Sequence, residues 1–315
     1  GAQNFYMPIF EQALETYGLP LELKYLPVIE SALNPNAVSR VGATGLWQFM
    51  LATGKQYGLE VNSLVDERCD PVKSSYAAAH YLSDLYSIFG DWSLVIAAYN
   101  CGPDNINKAV HRAGGVKDYW KIYPYLPKET RGYVPAFIAA NYIMNYYCEH
   151  NICPTLSTIP AKTDTIMVDR NVHFEQIAAV TGVDTKKIAA LNPQYRRSII
   201  NGETKPSILR LEPQEITAFI DNEDSIYAYR ADELLTKRSV VAVEQSVQYT
   251  PTSKRSSRRS RSSARNSRRR STSIRQGDTL SSIAKRNGTT VAKLKKLNPN
   301  IKGSSIRAGK KIRIK

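Results

Sequence analysis

Glu30 is the carboxyl group best placed for proton chemistry. It ends a largely apolar segment, Leu21-Glu22-Leu23-Lys24-Tyr25-Leu26-Pro27-Val28-Ile29. A carboxyl that loses hydration in such a place has its pKa raised from about 4.3, which makes it a proton donor. Ser31 and Ser39 follow, and then Gly42-Ala43-Thr44-Gly45-Leu46-Trp47-Gln48-Phe49-Met50, a glycine-punctuated turn that delivers an aromatic ring, an amide and a thioether. That mixture suits gripping a sugar ring better than filling a core. A proton donor beside a saccharide grip reads as a cleft that breaks glycosidic bonds, where a positioned acid is worth about 10²- to 10⁴-fold. The blander reading of Glu30 is a surface glutamate at a helix end.

The elements that must hold these groups are helices. Phe5, Ile9, Phe10, Ala13 and Leu14 recur at spacings of three and four and are ended by Gly18 and Pro20, which predicts a capped amphipathic first helix. Pro71 stands where another helix can start, with Ala77, Ala78, Tyr81, Leu82, Leu85, Ile88 and Phe89 as its apolar stripe and Gly90 as its stop. A shorter helix is expected over residues 92 to 100, ended at Gly102-Pro103, and a long one over residues 129 to 150. The apolar stretch from 133 to 147 is interrupted by Pro135, Asn141 and Asn145, which favours a buried core helix over a membrane segment.

Beyond Cys153-Pro154 the pattern changes. Residues 165–168 alternate like a strand, 174–181 and 185–191 read as helices, and 207–211 as a returning strand. The same β-α-α-β order recurs at the C-terminus, from Ser273-Ile274-Arg275 through Gly277-Asp278-Thr279-Leu280 and Leu297-Asn298-Pro299 to Lys311-Ile312-Arg313-Ile314. Two copies of one unit therefore flank the intervening segment. That segment holds Lys254, Arg255, Arg258, Arg259, Arg261, Arg265, Arg268, Arg269 and Arg270 among serines without one acid, the composition of a disordered linker.

The 315 residues suffice for two or three domains, and the net charge of +15 implies acidic partners. A solvated tether attracted to an anionic wall or membrane is favoured over a nucleic-acid arm. The start of the chain lacks the basic and apolar parts of a signal peptide, which either processing or the choice of chain boundary could have removed. Cys69, Cys101, Cys148 and Cys153 have no zinc-ligand spacing; Cys148 and Cys153 are close enough in sequence to pair in an oxidising compartment, the alternative being free buried thiols. His80, His111, His150 and His173 are scattered. No metal and no cofactor are expected.

Three further blocks follow the Glu30 segment in order: Val65-Asp66-Glu67-Arg68-Cys69-Asp70-Pro71, Ala97-Ala98-Tyr99-Asn100-Cys101-Gly102-Pro103 and Glu129-Thr130-Arg131-Gly132-Tyr133-Val134-Pro135. Over residues 1 to 150 the chain resembles the family 1 lytic transglycosylases, lysozyme-like enzymes that cut bacterial wall glycans, and among them the membrane-bound type D with LysM modules behind the catalytic domain. The C-terminal copy resembles a LysM module closely. The first copy keeps Phe174, Ile177-Ala178 and Leu191-Asn192-Pro193 but has Asn171-Val172-His173 where a Gly-Asp-Thr turn should stand. The expected architecture is α+β: an all-α lysozyme-like catalytic domain (residues 1–153), a degenerate LysM-like module (160–213), a connecting region with the basic linker (214–271) and a LysM module (272–315).

The resemblance implies that Glu30 is the sole catalytic carboxyl, first an acid and then a base toward the muramyl C6 hydroxyl, so that the product ends in a 1,6-anhydro ring and no water is consumed. It places Ser39, Gln48, Met50, Tyr99 and Asn100 against the sugar, with the Tyr99 hydroxyl beside the acid. It assigns glycan binding in the terminal module to Gly277, Asp278, Thr279, Leu280, Asn298, Pro299 and Ile301. Met50 could equally pack in the core, and Trp47 is expected to pack beneath the motif. A two-carboxylate hydrolase would need a partner acid. Asp66, Glu67 and Asp70 are the candidates, but Arg68 offers an ion pair and Asp70 precedes a helix start. Cys101 and Asp104 depart from the family's usual small residues. The expected partner is peptidoglycan and the expected state a monomer, placed in the periplasm or cell envelope, where a segment upstream of Gly1 could anchor it to the membrane. A hydrolytic muramidase and an inactive wall-binding scaffold are the alternatives.

Overall fold

The computed structural model describes residues 1–155, 157, 159–160, 162–235, 271–274, 277–299 and 311–314. Nine helices among them build the first domain: α1 (Gln3–Thr16), α2 (Leu26–Ser31), α3 (Leu51–Gln56), α4 (Pro71–Phe89), α5 (Trp92–Cys101), α6 (Pro103–Arg112), α7 (Tyr119–Ile122), α8 (Lys128–Arg131) and α9 (Tyr133–Tyr146). The spacing of Tyr6, Phe10, Ala13 and Leu14 turns one face of α1 onto α4, where Ala77, Ala78 and Ala79 leave room for close approach. Asp70 starts α4 by accepting the amides of Val72 and Lys73 at 2.8 and 2.9 Å, and Gly90 stops it at φ +67°. Trp47 is wholly buried at the centre, with Phe10 edge-on at 5.2 Å and its indole N–H donated to Ser75 Oγ at 2.9 Å. It packs beneath the motif as expected.

The end of α1 is capped as expected: Gly18, at φ +64°, donates to the Glu15 carbonyl and Leu19 to that of Leu14, each at 3.0 Å. Two other helical expectations need correction. The single helix expected over 129 to 150 is broken at Gly132 into α8 and α9. Pro135 has no N–H to offer the Arg131 carbonyl four residues back, and that carbonyl accepts the Tyr119 hydroxyl at 2.7 Å instead. Nor is α9 a buried core helix: Val134, Phe137 and Ala140 are buried, whereas Ile138, Tyr142 and Tyr146 are exposed. Among the described residues no helix is long and apolar enough to cross a membrane. All four cysteines are free, Cys148 and Cys153 as exposed thiols.

The next unit contains β1 (Asp164–Val168), β2 (Asn171–His173), α10 (Phe174–Thr181), α11 (Thr185–Leu191), β3 (Ile199–Asn201) and β4 (Ser207–Leu211), followed by α12 (Pro213–Asp221), α13 (Glu223–Ala228) and α14 (Ala231–Leu234). β1 pairs antiparallel with β4, Asp164 facing Leu211. The Asn171-Val172-His173 segment is a strand paired with β3 rather than a worn turn. Val172 is fully buried, and His173 caps α10 by accepting the Glu175 amide at 3.1 Å. The unit also extends past 213. Ile216, Phe219, Ile226 and Tyr227 join its core, and the buried Gln176 side chain donates to the carbonyls of Ile226 and Tyr229 at 3.1 and 3.0 Å.

Contacts divide the chain into two compact units, residues 1–250 and 251–315. The second unit pairs β5 (Ser271–Ser273) antiparallel with β6 (Lys311–Arg313) beside α15 (Leu280–Arg286) and α16 (Val291–Leu297), around Ile274, Ile283, Leu294 and Ile312. The basic run from 254 to 270 and Ile301 lie outside the described residues.

Candidate active site

Glu30 occupies the last turn of α2, which stops abruptly because Ala32 and Leu33 both adopt positive φ, +50° and +61°. Two consecutive non-glycine residues in that region carry strain that the surroundings must hold. Ser31 supplies part of the hold, its hydroxyl bonding the carbonyls of Pro27 at 3.0 Å and Leu46 at 2.9 Å, which ties the end of α2 to the glycine-punctuated loop. Glu30 itself is partly buried and accepts a short hydrogen bond from the Tyr133 hydroxyl at the start of α9. Burial pushes its pKa up from an ordinary 4.5 to about 7, and the Tyr133 bond holds it back from rising further. Near neutral pH such a carboxyl can both give and take a proton.

Ser39, Gln48 and Tyr99 bond to nearby backbone groups. The Tyr99 hydroxyl donates to the Trp47 carbonyl at 2.8 Å rather than to Glu30. It still feels the acid, since burial first and then the Glu30 charge push its pKa well above 10. Ser39 closes its own turn, its Oγ accepting the Ala43 amide at 3.0 Å. Gln48 has φ +50° and donates from Nε2 to the carbonyls of Ala37 and Gly45 at 3.1 and 2.8 Å, clamping both edges of the loop. Met50 is 45 % exposed, which excludes core packing for it. Asn100, exposed at the end of α5, accepts the Thr130 hydroxyl at 2.9 Å and ties α5 to α8. Tyr133 lies in the fourth sequence block, where nothing local signals a partner 103 residues away.

The other candidate acids are already engaged. Asp66 lies 2 % exposed between Arg68 and Arg196; burial would raise its pKa, but the two guanidiniums hold it below the ordinary carboxylate range. Glu67 pairs with Lys73 and accepts the Glu60 amide at 2.7 Å. Asp70 is the cap of α4.

In the C-terminal module the proposed glycan residues also build the fold. Asp278 forms a two-point pair with Arg286 at 3.0 and 2.7 Å, Thr279 caps α15, and Leu280 is buried. Asn298 donates to the carbonyls of Leu294 and Arg313 and accepts the Arg313 amide. Asn192 makes the same three bonds with Ile188 and Arg210 in the first copy. The Leu-Asn-Pro asparagine is thus a staple between helix and strand. Gly277 and Pro299 are exposed.

Residues 7–122 match the model of the transglycosylase SLT domain. Residues 162–228 match the LysM-like domain of lytic transglycosylase MltD, and residues 273–315 match the LysM domain. An SLT-type transglycosylase match is thus followed along the chain by two LysM-type matches. It is 29% identical over 303 residues to the membrane-bound lytic murein transglycosylase D of Escherichia coli (strain K12), a match covering 94% of this chain and 60% of that protein. The soluble lytic murein transglycosylase of the same organism is 32% identical over 124 residues, 38% of this chain and 19% of that one. Among solved structures, the 70 kDa soluble lytic transglycosylase of Escherichia coli aligns at 28% identity with a TM-score of 0.39, over 45% of this chain and 24% of that chain. The family match contains Glu30, Ser39, Gln48, Met50, Tyr99 and Asn100 and stops short of Tyr133. The match to residues 162–228 also ends where α13 ends, beyond the boundary expected at 213.

Proposed function

We propose that this chain cleaves the β-1,4 bond between N-acetylmuramic acid and N-acetylglucosamine in peptidoglycan without water. The observation that carries the reading is one carboxyl, Glu30, with its pKa brought to about 7 and a hydroxyl held on it, while Asp66, Glu67 and Asp70 are committed to ion pairs and a helix cap. Protonated Glu30 gives its proton to the glycosidic oxygen as that oxygen leaves the muramyl C1. The resulting carboxylate takes the proton of the C6 hydroxyl, whose oxygen bonds to C1. Glu30 ends protonated again, and the product carries a 1,6-anhydro ring. Tyr133 orients the carboxyl, and Ser39, Gln48, Met50, Tyr99 and Asn100 form the saccharide side of the site.

The C-terminal LysM domain binds N-acetylglucosamine-containing chains through its Gly277 to Leu280 turn, Asn298, Pro299 and Ile301. Binding there raises the effective concentration of wall glycan without adding contacts at Glu30. The working place is the cell envelope, where the basic segment adds attraction to anionic wall or membrane. Mass spectrometry of muropeptides released from purified peptidoglycan tests the mechanism: 1,6-anhydro ends are expected, and reducing ends in their place would mean hydrolysis.

Tyr133→Phe provides a sharper probe of the acid. Losing a bond that favours the carboxylate raises the Glu30 pKa. Because Glu30 must enter the reaction protonated, the alkaline limb of the kcat/KM profile should move upward from about 7. A limb that stays in place would detach Tyr133 from the acid.

A further inference from the structure

Asp66 joins two parts of the molecule that the expected domain division treats as separate. On one side Arg68 grips it with a planar fork, Nε to Oδ1 at 2.9 Å and Nη2 to Oδ2 at 2.8 Å. The remaining nitrogen of the same guanidinium, Nη1, donates to the carbonyls of Gly42 and Phe49, each at 3.1 Å. Those carbonyls stand at either end of the loop that presents Gln48 and Met50. On the other side, Arg196 of the LysM-like module reaches Asp66 Oδ2. Backbone bonds run alongside, Asp66 N to Gln194 O at 2.8 Å and Arg196 N to Leu64 O at 2.7 Å, with a β-bridge between Val65 and Tyr195.

The joint is specific in two respects. Arg197 and Ser198, directly after Arg196, both hold positive φ, +62° and +58°, a backbone that L side chains adopt at a cost. The hydrophobic cores of the catalytic domain and the module stay distinct, with Val65 packing against the module's core. Beside the joint the seam is an open groove of about 440 Å³ lined by Val38, Gly42, Thr44, Tyr195 and Arg196 among others. Polar contacts therefore carry the connection.

We infer that the first LysM-like module is a positioning part of the active site: Arg196, acting through Asp66 and Arg68, holds the 42–50 loop in the conformation that receives glycan. This rests on the transglycosylase reading for its consequence in turnover, and on geometry alone for the loop. Arg196 is a positioning residue and touches neither substrate nor reacting atoms. The module's function here is to fix the grip on the glycan strand, and wall anchoring falls to the C-terminal LysM domain.

The test uses the full chain with Arg196→Met and Arg196→Lys. Hydrogen exchange at the Thr44, Gly45 and Phe49 amides, which bond within the loop and to Ala37, should quicken about three- to tenfold in the Met variant and return partway in the Lys variant. On soluble glycan strands KM should rise about three- to tenfold with kcat little changed, again with partial rescue by Lys. If Arg196→Met does not fold, Arg196→Gln takes its place. Unchanged exchange in the loop of a folded variant overturns the inference. Exchange is read without turnover, so a wild-type chain that fails to cleave glycan would sink the functional reading and leave the loop measurement to judge the joint.

Discussion

Glu30→Gln is expected to remove about 10²- to 10⁴-fold or more of the turnover on peptidoglycan while leaving the protein folded and, above neutral pH, more stable than wild type. Glutamine keeps an acceptor for the Tyr133 hydroxyl but has no proton to give. The stability effect follows from the raised pKa. Below the ordinary 4.5 the carboxyl is neutral in both folded and unfolded chains, so its burial costs nothing extra. As pH rises from 4.5 toward about 7 the unfolded chain releases the proton while the folded one keeps it, and stability falls through that window. Above it, the ionised and partly desolvated carboxylate costs at most roughly 3 to 4 kcal/mol at 1.36 kcal/mol per pKa unit. Thermal melts of the two proteins should coincide near pH 4 and separate by about pH 8, the variant melting higher. Unchanged turnover would take Glu30 out of the mechanism. A melting difference independent of pH would mean that its pKa is not raised.

Local signals in the sequence located what depends on local physics. The apolar periods of α10 and α11 and the alternation of β4 were legible to the residue, because each helix is bounded by a capping residue, His173 or Asp184, and a stop, Gly182 or Asn192. Glu30 and the 42–50 loop were legible because a carboxyl ending an apolar run and a glycine-spaced turn are themselves local patterns. What escaped depends on distant partners. Tyr133 gains its importance from a carboxylate on another helix, and the Tyr99 hydroxyl hydrogen-bonds the Trp47 carbonyl, 52 residues away in sequence. α12 and α13 fall in the stretch expected as connection; Ile216, Phe219 and Ile226 are buried by packing on α10 and the strands of the unit. Arg196 resembled any loop arginine, since its meaning lies in Asp66, 130 residues away.

The 42–50 loop contains two glycines with nearly the same backbone and different surroundings, and the contrast yields the second large effect. Gly42 and Gly45 adopt φ +86° and +88°. A Cβ on Gly42 would meet nothing within 4 Å, whereas one on Gly45 would lie 1.8 Å from the Arg68 carbonyl oxygen and 2.6 Å from its carbon. Gly42→Ala therefore carries backbone strain alone, about 1 to 3 kcal/mol. Gly45→Ala adds a collision with main chain that no rotamer change relieves, so the loop must leave Arg68, and the total loss should be on the order of 4 kcal/mol or more. Departure would cost the Gly45 amide its Ala37 acceptor and Gln48 one of its two clamps. Turnover should accordingly collapse in Gly45→Ala and fall only modestly in Gly42→Ala, with denaturant midpoints ordered in the same way. Equal losses would mean that strain at positive φ decides the loop. A larger loss in Gly45→Ala would mean that the close approach of the loop to the Arg68 backbone holds the saccharide grip in place.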